Sequence, residues 1–577
     1  MWYHAGMTTP SVTITSEQIN SLPLLLGIIN ELGIRDLIDT HIQPHGLWQG
    51  ASVGTLVSIW LSHLLLERDH CMVTVRDWAA ERAFTINSLF DITLRQTDCT
   101  DDRLAQVLTL LGQPQLQARL DQALTQRWLR VYRLPTHTLR LDSTSVSLYH
   151  QPESPDSLLQ FGHSKDHRPD LRQFKLMLAS LDPLGLPLVC PVVAGNQADD
   201  GLYVPTYEAA VAALGTRNVL VVGDSKMAAR AIRGHLVAQH SCYLSAYRPP
   251  SATAELAGWI DDALAHPERC QRLETLDRQT GQITLDALVD VRVRDQSWLD
   301  PADQRTHSWS ERVLVLQSPL YQAGKRRRLE QRLARLSERL LPLMQPPTRG
   351  RTRYQSEAAL AVVVSKRITE AKLDQIVQVS LSEVRLPTGT TGWVLARLWV
   401  DLAAWQARVA RLGWQVYVTN TSAEQYELAA LVGEYRHQAV QERGFSRLKT
   451  RNLQLRPVYV RDERRICGLV WLLCLALRVL VITEQRVRAA LLAQQQEVGG
   501  LNPASRNQTT ARPTTERIIR VFKNITLTQI EQNGACHRHV SRLSATQQQL
   551  LALLGLPADL YARLGAPSPN SLPHLRE

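Results

Sequence analysis

Residues 435–449, YRHQAVQERGFSRLK, hold the densest set of side chains able to do chemistry. Tyr435, Gln438, Glu442, Phe445 and Lys449 recur at steps of three and four, so one face of a helix over 435–449 carries all five. The run has no Pro, and its single Gly444 is tolerable in a helix. Four of the five are polar or amphipathic, an odd choice for a buried stripe; a solvated face is the plain alternative. Arg443, Arg447 and Lys449 crowd around the one acid, and an apolar stretch follows at 466–482. A carboxylate in a basic surround suits a metal ligand beside a phosphate path. Such a site needs partner acids.

Two candidates lie upstream, where the pattern turns to strands. Residues 138–146 (TLRLDSTSV) read as a strand with Asp142 near its middle. A charge inside a central strand costs several kcal/mol unless it is paired or binds a cation. Residues 174–181 and 186–193 read as strands about the turn at 182–185, followed by a helix over 203–214. NVLVVG at 218–223 is then an apolar run typical of a buried parallel strand. Asp224 stands just past its end, where open α/β sheets place their sites; a helix N-cap is the other use for it. A helix over 225–237 and a strand over 242–247 complete the series. Strand, hairpin, helix, strand, helix, strand is the order of a ribonuclease-H-like core. In that fold the first strand, the end of the fourth and a late helix bring three acids together. The 435–449 segment can supply the helix.

The elements around this core set the expected organisation, which is α/β. Residues 1–128 read as a helical N-terminal domain, with Ser16 and Glu17 as a helix cap, helices over 22–38 and 53–66, and another led by Asp101 and Asp102 as cap residues. Short helices around loops suit DNA binding, and a plain bundle fits the pattern equally. Residues 129–250 form the first part of the core, 251–420 a β-rich insertion, 421–495 the second part, and 496–577 a linker and small helical tail. Strand-like stretches in the insertion are 287–294, 312–316, 359–365 and 415–419. Its basic helix over 325–341 sets Leu329, Leu333, Leu336 and Leu340 opposite Arg326, Arg327, Arg328 and Arg335, leaving the arginines for phosphate. CHRH at 536–539 has no second ligand pair and reads as surface.

Across 577 residues the net charge is +11, which leans toward a polyanion such as nucleic acid. Eight cysteines without a CxxC pair fit reduced thiols and argue against a disulfide framework or zinc finger. The opening MWYHAGMTTP lacks an apolar signal core, and Met7 is an alternative start. The apolar run from Leu469 is short for a bilayer and contains Arg478, so it reads as a buried core helix. A cytoplasmic, nucleoid-associated protein with no membrane partner is expected.

Together these stretches resemble an insertion-sequence DDE transposase, more narrowly the cut-and-paste group with a long β-rich insertion before its catalytic Glu. That group's signature is Tyr, two residues, Arg, three residues, Glu, six residues, Lys (YREK). Tyr435, Glu442 and Lys449 fall at this spacing, with Gln438 in place of Arg. LRLDSTSV, GHSKDHRPDLRQFKL from Gly162, AGNQADD and VVGDSKMAA resemble the same group, as do LPLLLGIINELGI and GASVGTLVSIWLSHLLLERDH near the start. The resemblance covers most of 16–490. It implies that Asp142, Asp224 and Glu442 are catalytic and hold two Mg²⁺ ions, with Mn²⁺ as a substitute. It implies that Tyr435, Gln438, Arg443 and Lys449 contact DNA. It further implies binding of terminal inverted repeats, cleavage and strand transfer into target double-stranded DNA, and a homodimer in the synaptic complex. A ribonuclease-H-like nuclease without transposition, or a domesticated DNA-binding protein, is the alternative; the latter is expected to have lost an acid, and all three stand.

Overall fold

The computed structural model describes residues 12–149, 157–248, 253–276, 283–345, 354–385, 391–502, 508–532 and 535–566, with 251, 389 and 505. The alternative start at Met7, part of the 496–515 linker and the last residues of the tail lie outside them. The chain divides into two compact units: residues 1–224, 238–242 and 432–577 form one, and 225–237 with 243–431 the other. Both mix helices with β-sheet.

In the first unit, strand Thr138–Leu148 pairs antiparallel with Arg172–Asp182, from Thr138 opposite Asp182 to Leu148 opposite Arg172. On its other edge it pairs parallel with Leu220–Gly223, from Thr138 opposite Leu220 to Leu141 opposite Gly223. Leu186–Val189 and Val192–Ala194 both pair with Arg172–Asp182. The strand expected over 186–193 is thus two short ones. Beyond Leu220–Gly223, the Cys242 N–H donates to the Val219 carbonyl. Alternation fails along the first strand because both faces are covered; every residue of Thr138–Leu148 is buried except half-buried Asp142.

Helix Glu463–Gln494 forms the core of this unit. Asp462 caps it by accepting the Arg465 N–H at 2.8 Å. By length and composition it could cross a membrane, but its most apolar window is 94% buried inside the fold. The 14-residue apolar run is therefore the middle of a longer, enclosed helix. It packs on helix Asp101–Leu111 so closely that a Cβ at Gly468 would fall on the Leu108 carbonyl oxygen. Arg478 is wholly buried within it. Its guanidinium meets Asp121 at 2.8 Å and donates to the Leu188 carbonyl at 2.6 Å, linking this helix to helix Pro114–Tyr132 and to strand Leu186–Val189. Trp471 Nε1 also donates to Asp121, at 2.9 Å.

Three expectations for the termini change. The helix over 22–38 is two helices, Leu22–Glu31 and Ile34–His41, broken at Gly33, whose φ of 69° suits a residue without Cβ. Ser16 and Glu17 lie on a strand, Val12–Gln18, so they cap no helix of their own. Glu17 instead accepts the N–H groups of Phe84 and Thr85 at the start of helix Ala83–Phe90. The partner of Val12–Gln18 is Thr526–Gln532, which pairs in turn with Ala535–Val540, so the tail contains a hairpin as well as helices, and CHRH lies on it.

In the second unit, Gln271–Leu276, Ile283–Leu299, Thr306–Gln317 and Trp414–Thr419 form consecutive antiparallel pairs. Val377–Arg385 and Thr391–Val400 make a separate two-stranded sheet. The strand expected over 359–365 is part of helix Glu357–Glu370. Its valines have strand propensity, but Ser356 caps it through the Ala359 N–H, and Leu360, Val364 and Ile368 share one face. That face packs on Leu329, Leu336 and Leu340 of helix Pro319–Leu340. Burial on a period of four overrides the local preference.

Removing one partner of a buried ion pair strands the other charge. Asp121→Ala is expected to cost about 3–5 kcal/mol in denaturant unfolding, and Asp121→Ala with Arg478→Met clearly less. Equal losses in both variants would show that the pair carries no such charge penalty.

Candidate active site

The parallel register decides the geometry of the acids. Leu141 lies opposite Gly223, so the next residues on these adjacent chains are Asp142 and Asp224. A cleft at this edge of the sheet is lined by both aspartates together with Arg140, Leu141, Gly223, Tyr435, Gln438 and Gln441.

Asp142 accepts its neighbour's N–H, from Ser143, at 2.8 Å, and the Lys165 ammonium stands 3.7 Å away. Burial pushes its carboxyl up to about 6; Lys165 opposes this and the charge of Asp224 adds to it. Asp224 accepts the Tyr203 O–H at 2.6 Å. Tyr203, the first residue of helix Tyr203–Leu214, is buried, and burial followed by the Asp224 charge raises its phenol well above the usual range. It therefore stays a donor at any working pH.

The segment over 435–449 is not one helix. Tyr435 belongs to helix Leu428–Arg436, and Gln438 precedes helix Ala439–Ser446. Between them Val440 N–H bonds the His437 carbonyl three residues back, a tighter turn that re-aims the chain. Arg447–Arg451 then winds as a π-helical turn. Despite the break, Tyr435 and Gln438 face the same cleft as the aspartates. Gln441 is fixed to the sheet, where its Nε2 donates to the Leu178 carbonyl at 3.0 Å and its Oε1 accepts the Ser180 hydroxyl. Arg140 anchors the preceding helix by bonding both Asp182 and the Glu434 carbonyl.

Glu442 follows Gln441 in the first turn of its helix, with an exposed side chain outside the cleft wall. Its N–H donates to the Gln438 carbonyl at 3.2 Å. Arg443 is also exposed, 3.7 Å from Glu484. Lys449 is buried and lines no part of the cleft: its ammonium donates to Asp166 and to the Ser145 carbonyl, each at 2.6 Å. Burial lowers its pKa, and Asp166 works against that. The structure thus gathers Asp142, Asp224, Tyr435 and Gln438, and leaves Glu442, Arg443 and Lys449 at other positions along the same segment.

Three further residues belong to the site. Lys165 lies in the SKDH stretch, within the motif from Gly162 that carries the resemblance without pointing to a role in the site. Tyr203 and Gln441 gave no sequence signal beyond their places on helices.

The donor chemistry fits a divalent cation. Two neighbouring carboxylates, one of them held near a pKa of 6, are relieved by a hard cation with oxygen preference. The sets that bring three ligand atoms within 4.8 Å of one another among the described residues do not include these two acids: they are Asp182, Glu434 and His437, and Asp300, Asp303 and His307. In the first of these Asp182 is already paired with Arg140.

The family model described as the transposase DDE domain matches residues 135–479, which is more than half of the chain. A search of curated proteins finds no match. Among solved structures, the chain resembles the piggyBac transposase synaptic complex with hairpin DNA, determined by electron cryomicroscopy, at 8% identity and a TM-score of 0.32, covering 95% of this chain and 82% of that one. Both aspartates of the cleft lie inside the matched span, and the chain belongs to the transposase DDE-domain family of metal-dependent enzymes that cut DNA and transfer its strands.

Proposed function

We propose that Asp142, Asp224 and Glu442 hold two Mg²⁺ ions in a ribonuclease-H-like core of a cut-and-paste transposase. The observation that carries this is the parallel register setting Asp142 beside Asp224, with Asp142 pushed up to about 6 by its surroundings. The strand order described above and the spacing of Tyr435, Gln438, Glu442 and Lys449 support the same reading. When bound, such ions activate the attacking oxygen and stabilise the leaving one at a phosphodiester.

The chain's own residues divide the remaining work. Tyr203 fixes the orientation of the Asp224 carboxylate. Lys165 places a positive charge beside Asp142. Glu442 stands one helical turn beyond Gln438 and supplies the third carboxylate. Tyr435, Gln438 and Arg443 contact the DNA backbone, and Lys449 joins them by exchanging Asp166 for a phosphate. Water attacks at the transposon end, and the freed 3′-hydroxyl then attacks target DNA. The helical N-terminal domain over 1–128 binds the terminal inverted repeats, the insertion over 251–420 separates the core parts 129–250 and 421–495, and two copies pair the ends.

Asp142→Asn, Asp224→Asn and Glu442→Gln are each expected to abolish Mg²⁺-dependent cutting of an end-bearing duplex while leaving its binding intact. Near-normal cutting by any one of them removes that residue from the metal set. Tyr203→Phe is expected to weaken Mg²⁺ affinity by roughly tenfold or more, because an outer hydrogen bond to a ligand is lost.

A raised carboxyl pKa also has a thermodynamic sign. The folded protein holds the Asp142 proton more tightly than the unfolded chain, whose Asp titrates near 3.9. Stability from this group is present below that value and lost as pH rises through about 6. In chelator at pH 7.5, Asp142→Asn is expected to melt above the parent, with the gap closing by pH 4, and added Mg²⁺ is expected to raise the parent alone. A variant that melts below the parent at pH 7.5 in chelator would contradict the cost of holding that carboxylate ionised in a buried position beside Asp224.

A further inference from the structure

We propose that the second unit carries its own binding cleft for a DNA phosphodiester backbone, separate from the acidic site. The cleft has a volume of 550 Å³ and lies between helices Pro319–Leu340 and Leu402–Ala410. Helix Pro319–Leu340 contributes Lys325, Arg328, Arg332 and Arg335, which with Tyr321 recur at steps of four and three and so form one face. Arg408 and Arg411 stand opposite, and Arg248 closes one end. None of the lining residues is an acid.

Ion pairing leaves most of this charge uncompensated. Arg411 is paired with Asp261 at 2.8 Å, whereas Arg328, Arg335 and Arg408 make no ion pair among the described residues. Arg326 and Arg327, on the same helix, line no part of the cleft, and Arg326 is paired with Glu330. The local field shows in Tyr321. Burial works to raise its phenol, yet Lys325 and Arg248 outweigh burial and hold it below the usual value. Lys325 also lies 5.0 Å from the Tyr321 ring centroid.

The dimensions suit a strand rather than a single anion. From Lys325 to Arg335 the helix rises about 15 Å. That is the rise of about four phosphates along one strand of a duplex. Exposed Tyr321 and half-buried Trp414 in the wall add aromatic surface of the kind on which unpaired bases stack. Backbone phosphate is thus the recognised chemistry, and duplex or single-stranded DNA its two sources. The choice of DNA over another polyanion rests on the family to which the chain belongs.

The test uses the full chain and fluorescence anisotropy across a salt series, with a duplex and a single strand of arbitrary sequence as separate probes. The variants are Arg328→Gln with Arg335→Gln and Arg408→Gln, and the same three positions changed to Lys. Each lost phosphate contact flattens the log affinity against log salt slope by about 0.9 for duplex or 0.7 for single strand. The Gln variant is expected to flatten the slope by about 2–3 units with whichever probe the cleft takes, and the Lys variant to keep the parent slope. An unchanged slope with both probes, or an equal loss in the Lys variant, would overturn the proposal. Asp142→Asn serves as the independent arm: it reports on the acidic site through lost cutting, and its salt slope is expected to match the parent's.

Discussion

Two carboxylates held side by side at the end of a parallel strand pair repel one another, and the structure around them answers that repulsion. Strand pairing fixes their separation, so neither can retreat without breaking the register of Thr138–Leu148 with Leu220–Gly223. Tyr203 gives one of them a permanent hydrogen-bond donor, and Lys165 gives the other a nearby cation. Burial first, and the Asp224 charge after it, still push the carboxyl of Asp142 up to about 6 against the opposing Lys165. The acids of the cleft thus fit the chemistry of a hard, oxygen-preferring cation better than that of a closed ion-pair network. Asp121 differs in its partners: it is fully buried, and Arg478 and Trp471 both bond it directly, although burial still raises its carboxyl.

How far each feature can be read from sequence follows from its physics. The strands bearing Asp142 and Asp224 are legible because TLRLDSTSV and NVLVVG put aspartates in or next to runs that only a sheet interior would bury. The helices over 203–214 and 101–111 carry clear periodicity and clear ends. The 435–449 segment is harder. Its side-chain period continues across residues 437–438, where no Gly or Pro marks the tightened turn, so a break set by tertiary anchoring leaves no local trace. Arg140, which provides that anchor, lies some three hundred residues earlier in the chain. AVVVS at 361–365 illustrates the opposite failure, a strong local preference overturned by leucines more than twenty residues away. The hairpin over 526–540 is largely polar, and its pairing with Val12–Gln18 joins the two ends of the sequence, beyond the reach of any window-based reading.

The second unit shows a different economy of design. Its sheet is antiparallel and built from long strands, and its apolar cluster is drawn from the leucine face of Pro319–Leu340 and from Glu357–Glu370. One helix thus serves two purposes. Leu329, Leu336 and Leu340 secure it to its neighbours, while exposed Arg328 and Arg335 and half-buried Arg332 line the cleft. Because the long arginine stems shield apolar surface while their heads remain hydrated, a strongly basic face is compatible with a stable core directly beneath it.

The first unit is also discontinuous in a way that bears on biosynthesis. Strands Thr138–Leu148 and Leu220–Gly223 leave the ribosome long before helix Glu463–Gln494, which forms the core of their unit. At ordinary elongation rates the interval is tens of seconds. During that time the Arg478 contact to Leu188 does not exist, and Gln441 is not yet available to the sheet. The aspartates therefore emerge early but acquire a rigid setting only once nearly five hundred residues have been made. A nascent chain thus lacks a rigid setting for this cleft until Gln441 and Arg478 have both been made, long after the strands that carry it.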